Sequence, residues 1–122
     1  MRWHVRAYCE KNGAYRDFVL SRMRGQPDQL GGNGNGIGGD TIWNTKVSVI
    51  LEPDPRLDAA QKAIMEGDYG MLNGRLDIPS RQALVKYVLQ RYQIDPKNLD
   101  SKPEAQQVVI ANLNALKPWL YD

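Results

Sequence analysis

The sequence has very little cysteine and histidine, with one residue of each among 122. A single cysteine cannot form an internal disulfide bond, and one cysteine with one histidine is too few for a Cys/His zinc site. We therefore expect no metal, no cofactor and a reduced, cytoplasmic location.

Long apolar runs and catalytic motifs are also absent. No apolar stretch approaches eighteen residues and no signal-peptide pattern occurs, so neither membrane insertion nor export is expected. There is no G-x-S-x-G nucleophile motif, and the single histidine, His4, lies in a predicted strand beside arginines. The sequence therefore predicts no catalytic residues and no enzyme activity.

Positive charge is concentrated at the beginning of the chain. Residues 1–24 contain six Lys or Arg and two Asp or Glu, whereas residues 25–122 contain ten and twelve. The small overall charge of +2 therefore hides a polarised distribution. An anionic partner is expected to bind near the N-terminal segment.

That basic segment, residues 2–24, has the alternating pattern of an antiparallel hairpin closed by Asn12-Gly13, the strongest short-range hairpin signal. A two-residue loop would pair Ala7 with Phe18, and a three-residue loop would shift the register by one. In the first register one face is apolar, with Trp3 and Cys9 in the core, and the other is cationic and aromatic. The apolar face comprises Trp3, Val5, Ala7, Cys9, Phe18 and Leu20; the other carries Arg2, His4, Arg6 and Tyr8 opposite Met23, Ser21, Val19 and Asp17.

A glycine-rich stretch follows the hairpin. Six glycines occur within residues 31–39, and their large backbone entropy predicts a flexible linker over residues 27–41. Gly34, Gly36 and Gly39 match the spacing G-x-G-x-x-G. A phosphate-binding loop of that type opens a helix, whereas a strand is predicted here, so we interpret the stretch as a linker.

Residues 42–122 are predicted to form one strand and three helices. The strand covers residues 43–51, and the first helix covers about 55–66 with Asp54 as its N-cap. The second helix begins at residue 77 or 80 and ends before residue 95. The third helix begins at a capping box at Ser101 and ends at Pro118. The apolar end, residues 119–121, should dock on this chain or on a partner. The predicted fold class is α+β: an antiparallel β-hairpin plus a third strand, followed by a three-helix C-terminal extension.

Several segments together resemble a known family. Residues 2–8 (RWHVRAY) and 15–23 (YRDFVLSRM) resemble the second half of a WYL domain, a ligand-sensing module of bacterial transcription regulators. Residues 43–53, the Asp68-Tyr69-Gly70-Met71 segment and the stretches 82–92 and 106–116 resemble the C-terminal extension that follows it. Repressors controlling the BREX and CBASS anti-phage systems are similar in the same segments.

The resemblance implies an architecture and partners. Residues 1–26 would be the second half of a small Sm-like or SH3-like β-barrel, residues 27–41 the linker, and residues 42–122 a dimerisation extension. Trp3-His4-Val5 stands in place of the family's defining triplet, and no winged helix or earlier barrel strand is present. We therefore expect a fragment that forms a homodimer, including one made by strand exchange, and that reaches operator DNA only through a winged helix outside this sequence.

The resemblance also implies an effector site at His4, Arg16 and Arg22, to which Arg6 of the basic strand is added. Arginine offers a planar fork of donors suited to phosphate, so single-stranded DNA or a nucleotide is the expected ligand. The expected function is effector sensing and dimerisation within a transcription regulator. The alternative is a stand-alone protein-interaction or inhibitor module with no nucleic-acid role.

Overall fold

The computed structural model describes residues 3–29, 31–32, 34–98 and 102–120. The chain divides into two compact units, residues 1–44 and 45–122. Within the described residues, no helix has both the length and the apolar character needed to cross a lipid bilayer.

The first unit contains the predicted hairpin, with Asn12-Gly13 at its tip. Strand β1 (His4–Cys9) pairs with β2 (Ala14–Val19), and the Gly13 N–H donates to the Cys9 carbonyl across 2.8 Å. Both predicted registers are wrong, because Ala7 pairs with Arg16 and the loop has four residues. A two-residue type I′ loop needs positive φ at both Asn12 and Gly13, and only Gly13 has it, at 63°.

The apolar face of the hairpin is not buried as a whole, because Ala7, Cys9 and Phe18 are half-buried while the part at the open end of the hairpin is exposed. Trp3 is 81% exposed and Val5 and Leu20 are also exposed, so assigning Trp3 to a core was wrong. The other face is half-buried at His4, Arg6 and Tyr8, and the predicted Arg2 lies outside the described residues. After β2 the first unit continues through 3₁₀ turns at Leu20–Arg22 and Ile37–Gly39 to the short helix α1 (Thr41–Asn44).

The second unit is built on a three-stranded antiparallel sheet. Strand β3 (Lys46–Pro53) lies between β4 (Leu76–Arg81) and β5 (Val108–Ile110). The predicted third strand therefore exists, but β4 and β5 replace segments that were predicted to be helical. Pro79 lies in β4, which is an edge strand where a missing N–H is tolerated.

Three helices complete this unit: α2 (Ala59–Tyr69), α3 (Val85–Arg91) and α4 (Leu113–Leu116). Helix α2 begins later than predicted because Asp58, rather than Asp54, is its N-cap and forms a capping box with Gln61. The predicted capping residue Ser101 lies outside the described residues. The α+β class is confirmed by this mixture of helices and antiparallel sheets.

The hydrophobic core of the second unit is formed where the sheet meets α3, α4 and the chain end. Its buried members are Val49, Leu51, Met71, Val85, Leu89, Ile94, Val108, Ile110, Leu116 and Leu120. Leu120 is 6% exposed, so the apolar end docks on its own chain up to this residue, while Tyr121 lies outside the described residues.

The side chain of Asn112 extends the pairing between β3 and β5. Its Oδ1 accepts from the Ile50 N–H at 3.1 Å, and its Nδ2 donates to the Ser48 carbonyl at 2.7 Å. The Ala111 N–H also donates to the Ile50 carbonyl at 2.7 Å. One amide therefore satisfies two backbone groups of β3 beyond the short β5.

Candidate functional site

A charge network links the hairpin to the segment before α1. The Arg6 Nε donates to Asp40 Oδ2 at 2.7 Å and its second terminal nitrogen to Asp40 Oδ1 at 3.2 Å, a bidentate arrangement. The remaining terminal nitrogen donates to Asp17 Oδ1 at 3.3 Å. The guanidinium therefore lies between two carboxylates of its own unit.

Asp40 has both a capping and an ion-pairing role. Its Oδ1 accepts from the Trp43 N–H at 3.1 Å and its carbonyl accepts from the Asn44 N–H at 3.0 Å, so it begins α1. It is 1% exposed and is the only buried residue among those described in the first unit. Burial alone would raise the pKa of Asp40, but hydrogen bonds from Arg6 and Trp43 outweigh it and lower this pKa. The hydrogen bond to Asp40 is correspondingly the main cause that raises the pKa of Arg6.

An aromatic pair lies on the same face of the hairpin as Arg6. The rings of Tyr8 and Tyr15 have centroids 5.2 Å apart at a tilt of 38°. The Tyr15 hydroxyl donates to the Gly36 carbonyl at 2.9 Å, and a Cβ at Gly39 would lie 2.7 Å from that hydroxyl oxygen. Gly39 therefore permits a close approach of the glycine-rich segment to the hairpin.

The four predicted ligand residues do not form one cluster. His4 and Arg6 lie on the face that the charge network covers, whereas Arg16 is paired with Ala7 and points to the opposite, apolar face. Arg16 and Arg22 are exposed, and neither takes part in an ion pair among the described residues. Arg22 follows the strand, in the 3₁₀ turn at Leu20–Arg22.

Asp17 and Asp40 were not predicted as partners of Arg6. Asp40 stands directly before α1, where an aspartate is a typical N-cap, so its capping role had a local signal. Its ion pair with Arg6 joins residues 34 apart and had no local signal.

The second unit contains a buried carboxylate of its own. Asp54 is 2% exposed, accepts a 2.7 Å hydrogen bond from the terminal nitrogen of Arg56, and is also bonded by the Arg56 Nε and backbone N–H. The hydrogen bond from the Arg56 side chain is the main cause that lowers the pKa of Asp54. The Asp54 N–H donates to the Gln107 carbonyl, so this residue joins the end of β3 to the segment before β5.

A cleft of about 700 Å³ also opens in the second unit. Leu89, Ile94 and Leu120 form its apolar floor, and Lys86 and Lys97 lie at its polar wall. None of the four predicted ligand residues lines it. In the described part of the chain, no three His, Cys, Asp or Glu side chains converge as a metal site.

Comparison with known proteins identifies the family and the relatives of this chain. Residues 46–116 match the family described as "BrxR transcriptional regulator, C-terminal dimerization domain". A protein from Escherichia coli (strain KTE188) named "DNA-binding transcriptional repressor CapW" is 40% identical over 111 residues, covering 91% of this chain and 37% of that protein. The Pseudomonas aeruginosa protein of the same name is 37% identical over 116 residues, covering 95% and 38%.

A third repressor named CapW, from Stenotrophomonas maltophilia, is 30% identical over 120 residues, covering 98% of this chain and 40% of that protein. The chain therefore spans about two fifths of the length of these curated relatives. The matched family consists of regulator domains rather than enzymes, in agreement with the predicted absence of catalytic activity. Because its second unit matches over nearly its full length, the chain belongs to the family of BrxR transcriptional regulator C-terminal dimerization domains.

Proposed function

We propose that this chain is the effector-sensing and dimerising part of a cytoplasmic transcriptional repressor, and that it binds an anionic ligand through Arg16 and Arg22. The observation that carries the ligand proposal is the exposure of these two side chains together with their lack of an acidic partner in the described part of the chain. Both are exposed, and neither has an acidic partner among the described residues, although the first unit also contains Asp17 and Asp40.

The setting of Arg16 favours contact with a nucleotide or single-stranded DNA. It lies opposite the small Ala7 and on the face that carries Phe18 and the exposed Trp3. A phosphate could accept from the guanidinium while a base stacks on a neighbouring aromatic ring. Arg6 differs, because two carboxylates already occupy its guanidinium, and we assign it to holding the segment before α1.

We assign His4 a secondary role in this proposal. It is half-buried, pairs with Val19 at the start of β1, and lies on the Arg6 face. We expect His4 to influence ligand binding indirectly, through the strand, because Arg16 points the opposite way. Operator recognition is assigned to the part of the repressor that this chain does not span.

The test is a titration of the chain with a short single-stranded oligonucleotide and, separately, with a nucleoside triphosphate. Arg16→Ala and Arg22→Ala should each weaken binding by about 1–3 kcal/mol, as expected when a charge-assisted hydrogen bond is removed. Binding by the parent should also weaken as salt is raised. Lys11→Ala is the matched control, since Lys11 is an exposed cation of the hairpin loop outside the proposed site. Equal binding by the parent and both arginine variants would contradict the assignment.

A second candidate function is protein interaction without a nucleic-acid role. It is favoured by the exposed part of the apolar face of the hairpin, where Trp3, Val5 and Leu20 are 81%, 39% and 43% exposed. Light scattering at several concentrations separates the two functions. A chain that remains monomeric and binds neither ligand would favour this second function over the first.

A further inference from the structure

Helix α2 has an unusual distribution of side chains. Its half-buried side contains Gln61, Lys62, Met65, Glu66 and Tyr69, so the helix directs both of its mid-helix charges toward its own unit. Its exposed side is formed, at i, i+3, i+4 and i+7 spacing, by Ala60, Ala63, Ile64 and Gly67. A helix on the surface of a monomer normally has the reverse distribution, with its charges toward solvent.

The exposed apolar residues of the second unit are concentrated at this helix and directly after it. Among the described residues of that unit, Ile64 at 58% and Leu72 at 78% are the large hydrophobic residues that remain exposed. Leu72 is held in place, because its N–H and carbonyl both bond to Arg75 around a turn in which Asn73 and Gly74 have positive φ. The same turn lies beside α2, since a Cβ at Gly74 would be 3.6 Å from Glu66 Oε1.

We propose that the exposed face of α2 (Ala60, Ala63, Ile64 and Gly67), together with Leu72, is the surface on which a second copy of this chain packs. This inference rests on the proposed dimerising function and identifies the surface that performs it. We name this surface the α2 face.

The family match and the residue pattern of the face both favour a second copy as the occupant. The family match that describes a dimerization domain covers residues 46–116 and so contains the whole α2 face. The face is also self-complementary, because a two-fold axis passing between Ala63 and Ile64 places Ile64 of each copy against Ala63 of the other, and Gly67 against Ala60. A large side chain then meets a small one, and the glycines allow the two helices to approach closely.

The electrostatics agree with this arrangement. Lys62 and Glu66 lie on the half-buried side of α2, so the centre of the face carries no charge that would have to be desolvated on association. Asp68 is exposed at the edge of the face, where it can remain in water.

The first experiment measures the dimer dissociation constant of the full 122-residue chain by sedimentation equilibrium. Ile64→Asp places two like charges next to the symmetry axis, and we expect it to raise that constant at least 100-fold. Its thermal unfolding should stay close to that of a monomeric parent sample, because Ile64 is exposed within its own chain. Ile42→Asp is the matched control: Ile42 is 40% exposed but belongs to the first unit, and its variant should dimerise like the parent.

The second experiment gives a positive signal that does not depend on disruption. In a Cys9→Ser background, Ala63→Cys should form an intermolecular disulfide under mild oxidation, because the axis brings the two copies of position 63 together. Asn114→Cys, an exposed position in α4, should not. A folded Ile64→Asp variant that dimerises like the parent, with no cross-link at position 63, would overturn the α2 face and leave dimerisation standing. A monomeric parent would overturn the proposed dimerising function itself, and the α2 face with it.

Discussion

The charge network of the first unit offers the sharpest test of how that unit is held together. Asp40 is its only buried residue in the described part of the chain, and its link to Arg6 joins the segment before α1 to the hairpin. Asp40→Asn keeps the shape of the side chain and removes its charge. It should therefore release this segment without affecting the core of the second unit.

The size of the effect follows from the hydrogen bonds that the carboxylate makes. Asp40 accepts two charge-assisted bonds from Arg6 and one backbone bond from Trp43. An amide oxygen at the Oδ1 position can still accept from Trp43 and from one Arg6 terminal nitrogen, but its NH2 group then faces the Arg6 Nε in place of the 2.7 Å acceptor. The Arg6 guanidinium, 14% exposed, keeps a carboxylate only at Asp17, 3.3 Å away. Breaking one side of a buried ion pair costs about 3–5 kcal/mol, so with partial compensation we expect about 3 kcal/mol. That corresponds to a change of roughly 100-fold in the local opening equilibrium.

Native-state hydrogen exchange of single amides measures this change directly. The amides of Trp43 and Asn44, which bond to Asp40, should exchange roughly 100-fold faster in the variant, while the Val49 amide should not change. Asp17→Asn is the comparison variant and should have a smaller effect, because Asp17 makes a single, longer bond to Arg6. Unchanged exchange at Trp43 and Asn44 in Asp40→Asn would refute the view that this ion pair holds the segment.

Three further predictions concern acid stability, the sheet edge and a helix end. The pKa values of Asp40 and Asp54 lie below the ordinary 3.8, so both carboxylates stabilise the fold above that pH, and this stabilisation is lost as the pH falls through their lower folded pKa values. The urea concentration at the unfolding midpoint should therefore decrease once the pH is below about 4. In Asp54→Asn this decrease should be less steep. Asn112→Ala should cost about 1–3 kcal/mol in urea unfolding because it leaves two backbone groups of β3 unsatisfied, and a cost under about 0.5 kcal/mol would contradict that role. Gly70 ends α2 at φ 65°, so Gly70→Ala should lower stability by about 1 kcal/mol, whereas Gly38→Ala, with open space around it, should not.

The sequence predicted those features that are specified locally. Asn12-Gly13 placed the tip of the hairpin, and the alternation around Val49 predicted the buried strand β3. Both signals act over a few residues, so neither requires knowledge of the rest of the chain.

Features that depend on distant partners could not be predicted. The stretch after Leu76 has a helical stripe of apolar residues, but its first part becomes β4 because it pairs with β3. Strand β5 has only three residues, too few for any periodicity to show. The burial of Arg6 was not predicted for the same reason: Arg6 pairs with Asp40 through tertiary structure, whereas hydrophobicity alone pointed to the face of Trp3.

The amide of Asn112 has a consequence for how copies of this chain can meet. Strand β5 covers β3 only from Leu51 to Pro53, and the exposed backbone beyond it would be a template for a strand from another molecule. The side chain of Asn112 already bonds the Ile50 N–H and the Ser48 carbonyl on this side of β3. A strand from another molecule would first have to displace these two hydrogen bonds. Fibre-like growth along this border of the sheet is thereby discouraged, which leaves contacts between side chains as the route to a closed, finite assembly.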